Sequence, residues 1–539
     1  MGRHPYDTDY ELGEDNITKF GLDFHNPVFP LSALFSIAFI TLTLLYPDTA
    51  FELLNRCKTE VIELFDSVFM LSANSFVIFC LILALSPLGS IRLGGPSAKP
   101  DYSYTAWFAM LFSAGMGIGL MFWSVAEPLA YVTGWAFTPL NVEANSEQAY
   151  RVAMAATLFH WTIHPWAIYA VVGLSLAFFY YSKQLPLTIR STFYPIFSER
   201  IWGWPGHIID TLAVIATIFG LATSLGLGAQ QAASGMHVVF GFDNSTLLQL
   251  LIIGLVTAAA IVSVVRGLDG GVKVLSQLNI AIACLLLLFV LLLGETSTLL
   301  VGIGENLIAY FDYVLPLSAA TDRTDESWQH SWTVFYLAWW ISWSPFVGMF
   351  IARISKGRTV RAFIFSVLIV PSLVTLVWMT VFGESALLQY KQQIGGLSEG
   401  VGDVSLAMFA LLAELPWAGI TSLVAIVLVL AFFITSSDSG SLVIDSITAG
   451  GKIDSPVSQR VFWALAEGAV AIVLLLGGGS EALTALQAGT VSAGLPFTFV
   501  LILMCLALTK ALFNEYRQQH GLPPILPPDG PDHSQQRDK

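Results

Sequence analysis

Residues 152–181 read VAMAATLFHWTIHPWAIYAVVGLSLAFFYY. The run exceeds the roughly 20 apolar residues that carry a helix across a bilayer. It is too long and too continuously apolar for the short, alternating strands of a membrane β-barrel. A spanning helix that tilts or bends to fit is the reading it permits. Eleven further apolar stretches accompany it, at 28–46, 66–87, 104–125, 207–236, 247–265, 275–294, 330–352, 361–383, 418–446, 459–478 and 483–511. Composition agrees: of 539 residues, 55% are hydrophobic and only 12% charged. That charged share is about half the usual one for a soluble domain, too small to cover such a core in water. A soluble enzyme, a nucleic-acid binder and a secreted disulfide scaffold are therefore excluded. The expected fold is an all-α polytopic membrane protein with 12 transmembrane helices, surrounded by lipid. Cys57, Cys80, Cys284 and Cys505 are scattered, with no metal spacing and no disulfide framework. Residues 1–26 are polar and acidic, so a cleaved signal is not expected.

The basic residues test the count. With the N-terminus inside and sides alternating, the outer segments hold Arg56, Lys58, Arg151, Arg323 and Lys391. The other 19 of the 24 Lys and Arg fall on inner segments, as the positive-inside rule requires. One miscounted span would scramble this asymmetry, so both termini are expected in the cytoplasm. Residues 1–27 form a cytoplasmic segment, and 28–87 supply two peripheral helices. Residues 295–318 are apolar but carry Glu305 and Asp312, and read as an amphipathic helix on the outer surface. Residues 403–415 read as a second short outer helix. The short, proline-rich cytoplasmic tail, 512–539, reads as disordered.

Function in a membrane protein concentrates where helices carry residues that lipid disfavours. In the third stretch Gly115, Gly117 and Gly119 alternate within SAGMGIGL. This spacing weakens a helix and permits unwinding, which at membrane depth exposes backbone groups to solutes and ions. The fourth stretch carries Trp161, Trp166 and Tyr169, and the eighth carries Phe335, Trp339, Trp340 and Trp343. These rings sit near mid-run, where the interfacial aromatic belt explains them poorly. Trp161, Trp166 and Tyr169 fit one broad helical face, and Trp340 and Trp343 share another. A quaternary ammonium has no N–H to donate, so aromatic faces rather than hydrogen bonds can select it. The tenth stretch ends FFITSSDSGS, a hydroxyl cluster offering hard oxygen ligands to a light cation. His160 and His164 are spaced to share a metal, but the other histidines form no cluster, and metal binding is not expected.

GMGIGLMFWSVAEP, FHWTIHPWAIY, AWWISWSPFVGMFIARISKGR and FFITSSDSGS resemble the betaine/choline/carnitine transporter family over about residues 20–515. The resemblance implies a leucine-transporter-like architecture of two inverted five-helix repeats, here 104–294 and 330–511, after two extra helices. It implies an onium box of Trp161, Trp166, Tyr169 and Trp340, with Phe335, Trp339 and Trp343 nearby. The substrate carboxylate would meet Trp343 or backbone amides near Met116 and Gly117. Sodium-coupled betaine permeases of the family hold Na+ as coupling ion. The matching positions are the backbone of Ser113 and Met116, with Phe432, Thr435 and Ser436. A second ion would use Thr217, Ser224 and Phe346. One hydroxyl position of that set is Leu221 here, a departure that weighs against it.

Proton-coupled choline carriers of the family often have Asp where this chain has Gly119, which favours a zwitterion. Candidates are glycine betaine, carnitine and dimethylsulfoniopropionate. Sodium-independent exchangers carry an Arg where this chain has Val274, so nothing replaces the ion. The implied activity is sodium symport by alternating access in the bacterial inner membrane, without enzymatic chemistry. Proton-coupled choline or onium uptake is the alternative, and an ion channel is the alternative from another class. The family further implies a homotrimer with 295–318 at its interface. The tail lacks the long basic extension of the osmosensing betaine permease.

Overall fold

The computed structural model describes residues 8–19, 21–266 and 272–523; the side chains of 266, 272–276 and 480 lie outside the described set. The chain opens on a hairpin, β1 (Asn16–Lys19) against β2 (Leu22–His25), paired Asn16 to His25 and Lys19 to Leu22. Everything after it is helical or loop. Two helices follow, α1 (Val28–Leu45) and α2 (Pro47–Leu85). The third stretch is divided into α3 (Tyr104–Gly115), α4 (Ile118–Trp123) and α5 (Ala126–Thr133). The fourth is divided into α6 (Glu147–Trp161) and α7 (Ile163–Ala177). Then come α8 (Trp204–Phe240), α9 (Thr246–Arg266), α10 (Val272–Leu293) and α11 (Thr296–Leu317). The second half contains α12 (Glu326–Arg353), α13 (Val360–Lys391), the short α14 (Ala407–Ala413), α15 (Ala418–Thr448), α16 (Val457–Gly478) and α17 (Ala482–Gln519).

Among the described residues, eleven helices are long and apolar enough to cross a membrane. The set differs informatively from the twelve expected stretches. It omits the third, because that run is broken into pieces, and the seventh, of which 277–293 are described with side chains. It adds α11, which by length and composition alone qualifies as a span. Other boundaries also move. The helix expected at 66–87 begins at Pro47, where proline in the first turn needs no N–H partner. The stretch 483–511 continues to Gln519, so residues 512–519 of the expected disordered tail are helical. Residues 524–539, and 1–7 at the other end, lie outside the described set, as does the side chain of Val274.

Local chemistry explains where the site-bearing helices start and bend. Ser103 caps α3, Ser146 caps α6 and Thr359 caps α13; each hydroxyl accepts a backbone N–H, from Ala106, Ala149 and Ala362. Capping satisfies a donor that the helix leaves open. Pro345 lies inside α12 and cannot donate to Ile341. The freed carbonyl accepts the Ser344 hydroxyl at 2.7 Å instead. α12 packs along α7, and α15 packs along α8. The broken third stretch touches α8, α12, α13 and α15 through its pieces.

The hairpin is tied to the loop between α15 and α16. Asn16 donates to Asp23 and to the Ala449 carbonyl, both at 3.0 Å; Lys452 donates to Asp23 at 2.6 Å. Burial would raise the Asp23 carboxyl, but hydrogen bonds from Lys452 and Asn16 outweigh it and hold it below its usual 3.8. The carboxylate form therefore stabilises the clamp above that value and ceases to do so as pH falls through the depressed pKa. Lys452→Met should speed amide exchange in residues 16–25 about fivefold at neutral pH. The difference from wild type should vanish under acid, once Asp23 is protonated. Hydrogen–deuterium exchange with mass spectrometry reads both effects.

Candidate substrate chamber and ion cavity

The helix of the third stretch stops at Gly115. Met116 (φ −91°, ψ 129°) and Gly117 (φ −169°, ψ −177°) are extended, and helix resumes at Ile118. The fourth stretch breaks at Thr162 (φ −114°, ψ −113°). Between these interruptions and α12 lies a chamber with about 480 Å³ of empty space, within the range of small-molecule sites. Trp161, Trp166, Tyr169, Trp339, Trp340 and Trp343 line it, together with Met116 and Gly117. Trp161 meets Trp340 edge to face at 4.9 Å, and Trp166 meets Tyr169 likewise at 5.3 Å. Trp339 and Trp340 stack at 4.9 Å with their planes 12° apart. Phe335 was expected on this surface; it sits behind it, stacked on Trp339 at 5.5 Å. One helical position separates it from the face that Trp339 and Trp340 turn inward.

The alternating glycines make room for these rings. A Cβ at Gly119 would lie 2.6 Å from the Trp161 ring and 3.1 Å from Trp339. A Cβ at Gly115 would lie 3.2 Å from Trp166. Beside Gly117 there is open space.

A second cavity, with about 650 Å³ of empty space, lies across the broken helix. It is lined by Ser113, Met116, Phe346, Phe432, Thr435 and Ser436, with Asn279 and Ser439. Ala114, Met116 and Trp343 line both spaces and form their shared wall. The Thr435 hydroxyl donates to the Ala431 and Phe432 carbonyls at 3.0 and 3.1 Å, and accepts from Asn279 at 3.3 Å. Asn279 Oδ1 and Trp343 Nε1 are buried without a partner among the described residues. A hydroxyl, an amide oxygen and backbone carbonyls are the hard, uncharged donors that suit a small monovalent cation.

The residues expected to hold a second ion do not converge. Phe346 lines the cavity just described. Thr217 and Ser224 line neither space, and their hydroxyls donate back to Ala213 and Gly220 on α8. Between them Leu221 packs against Gly440 of α15, filling with methyl groups the face where an oxygen was sought. His160 and His164 also part company. His164 Nε2 meets Asn74 Oδ1 at 3.1 Å, while His160 meets Glu127 and Thr333.

Three polar residues at these sites escaped the sequence reading. Thr375 of α13 lines the chamber and Asn279 of α10 the ion cavity. Glu127 of α5 is fully buried behind Trp161. An acid within GMGIGLMFWSVAEP was the one available signal, since charge in an apolar stretch marks a functional position by default.

Interrupted helices around a buried aromatic chamber, beside a cavity of uncharged oxygens, define a multi-pass membrane protein built to enclose a small solute. Residues 27–517 match the family described as BCCT, betaine/carnitine/choline family transporter. The chain belongs to this family of transporters. It is 60% identical to glycine betaine transporter 1 of Vibrio parahaemolyticus, over 94% of this chain and 97% of that one. It is 57% identical to a glycine betaine/proline/choline/ectoine transporter of the same organism, over 94% and 91%. A glycine betaine transporter of Acinetobacter baylyi is 44% identical, over 90% and 73%.

Gly119→Ala should weaken solute binding about tenfold, because the added methyl must displace the Trp161 ring from a filled wall. Titration by tryptophan fluorescence in detergent measures this, with the fold monitored by circular dichroism.

Proposed function

We propose that this transporter imports a zwitterionic methylated onium solute, glycine betaine first among them, by sodium symport with alternating access. Carnitine and dimethylsulfoniopropionate share the required head and carboxylate. The observation that carries the reading is that Trp161, Trp166, Tyr169 and Trp340 face one enclosed space. Each desolvated aromatic face contributes about 2 kcal/mol toward a cation, with no demand for an N–H on the ligand. The names of the relatives support the same solute class.

The coupling ion is Na+, held between the backbone of Ser113 and Met116 and the side chains of Thr435 and Ser436, with Phe432 beside it. Its binding ties the broken third helix to α15 and stabilises the solute-competent site. The shared wall of Met116 and Trp343 is where the two ligands sense each other, and the coupling is reciprocal. One ion is proposed, since Leu221 packs where a second would need oxygen. The membrane potential adds about 2.3 kcal/mol per charge per 100 mV.

The proposed architecture has twelve spans with both termini in the cytoplasm. It consists of two inverted repeats, 104–294 and 330–511, after two peripheral helices, with α11 on the outer surface at the interface of a homotrimer in the bacterial inner membrane. Residues 116–117, where the first repeat's leading helix breaks, support the role given to that helix.

Uptake into proteoliposomes tests the reading. Glycine betaine should accumulate under an inward sodium gradient and not when potassium replaces sodium; equal uptake in both rejects the coupling ion. Trp340→Ala should abolish saturable uptake. Ser436→Ala should raise the sodium requirement about tenfold while leaving the maximal rate within about twofold of wild type. A fully active Trp340→Ala rejects the cage.

A further inference from the structure

We infer that Glu127 is a positioning residue of the chamber: its buried carboxylate anchors the Trp161 indole and makes that wall prefer a cation to a neutral head of the same shape. The inference rests on the proposed onium substrate and adds a residue outside the chamber lining that sets its selectivity.

Glu127 lies in the first turn of α5 and is fully buried. Trp161 Nε1 donates to its Oε2 at 2.7 Å and the Tyr336 hydroxyl to the same oxygen at 2.6 Å. The Tyr131 hydroxyl donates to Oε1 at 3.0 Å, and His160 Nδ1 lies 3.0 Å from it. Four donor groups around two oxygens is the complement an ionised carboxylate accepts. The bonds to Oε2 are as short as charge-assisted ones. With its proton on Nδ1, His160 donates here, and its Nε2 accepts from Thr333 at 3.0 Å. Among the described residues no Lys or Arg forms an ion pair with Glu127. Arg323, whose guanidinium lies over Trp328 behind His160, is paired with Asp325 at 2.7 Å.

The carboxylate has structural work at this point. Trp161 is the last residue of α6, and the chain departs from helix at Thr162. A ring at a helix end is not held by a following turn, so its orientation depends on side-chain partners. Trp340 provides the contrast. Its Nε1 donates to the His160 carbonyl at 2.9 Å, a neutral acceptor. Both indoles line the chamber, but only Trp161 is bonded to an anion. A donor bonded to an anion is polarised by it, and in a low-dielectric site that polarisation and the charge behind the ring reach the chamber undiminished by water.

The test compares two ligands of one shape on the full-length protein in detergent at fixed sodium. Glycine betaine carries the trimethylammonium head; in 3,3-dimethylbutyrate carbon replaces the nitrogen. The readout is the ratio of their dissociation constants, which a merely structural defect lowers for neither ligand selectively. Glu127→Gln should reduce the preference for the onium about tenfold. Glu127→Asp should weaken both ligands while keeping the preference. Should Glu127→Gln fail to fold, Trp161→Phe and Trp340→Phe carry the test, since both lose an indole but only the first loses the carboxylate. The preference should fall further in Trp161→Phe. An unchanged preference in Glu127→Gln, or equal losses in the two phenylalanine variants, overturns the inference. A wild type without any preference sinks the onium reading, and this inference with it.

Discussion

In the middle of a bilayer every N–H must find its partner inside the protein. The chamber obeys this constraint, and its form follows from it. Trp161 is anchored to Glu127, Trp340 to the His160 carbonyl, and Trp339 to the Gly220 carbonyl at 3.3 Å. In each case the hydrogen-bonding edge of the indole faces the scaffold, and the rest of the ring is left to the chamber. Scaffold and solute thus use different parts of one side chain. Trp343 is the exception: its Nε1 has no partner among the described residues, and it stands in the wall shared with the ion cavity.

Large rings pack this closely only if the opposite helix has no side chains. Gly115 and Gly119 meet that need, and they do so by absence of volume; neither has a positive φ. The same weakness lets the helix open at Met116 and Gly117. One short segment therefore makes room for the rings, frees peptide groups, and brings Ser113 and Met116 beside the hydroxyls of α15. A change in either cavity alters a wall of the other, which is the physical requirement for coupling.

Much of this was legible from the sequence. Continuous apolar runs gave the bundle, and ring spacing at about 100° per residue selected Trp161, Trp166, Tyr169, Trp340 and Trp343, all of which line the chamber. Phe335 shows the limit of that reasoning, because a ring one step round the helix packs behind the wall. Glu127 shows a deeper one. Its partners lie 4, 33, 34 and 209 residues away, so no period connects them. Asn279 and Thr375 belong to helices far along the chain from the glycine motif they face. The break at Thr162 was hidden too, because the apolar run continues through it unchanged. The extension of α2 back to Pro47 passes through polar sequence, where hydropathy carries no signal.

On the proposed reading, the arrangement also explains why a zwitterion suits this site better than a plain cation. The Glu127 carboxylate lies behind Trp161 at one side of the chamber. The unpartnered Trp343 donor and the ion cavity lie at another. An onium head against Trp161 and a carboxylate toward Trp343 give charges that alternate in space: carboxylate, onium, carboxylate, sodium. Each neighbour attracts, and in a site of low dielectric such ordering matters far more than in water. A choline-like cation leaves the third place empty. Its positive head and the sodium ion would then repel across the shared wall with nothing between them. Gly119 offers no room for a protein carboxylate to fill that place while Trp161 keeps its position. The missing charge must therefore arrive with the solute, and the coupling ion then favours the ligand that brings it.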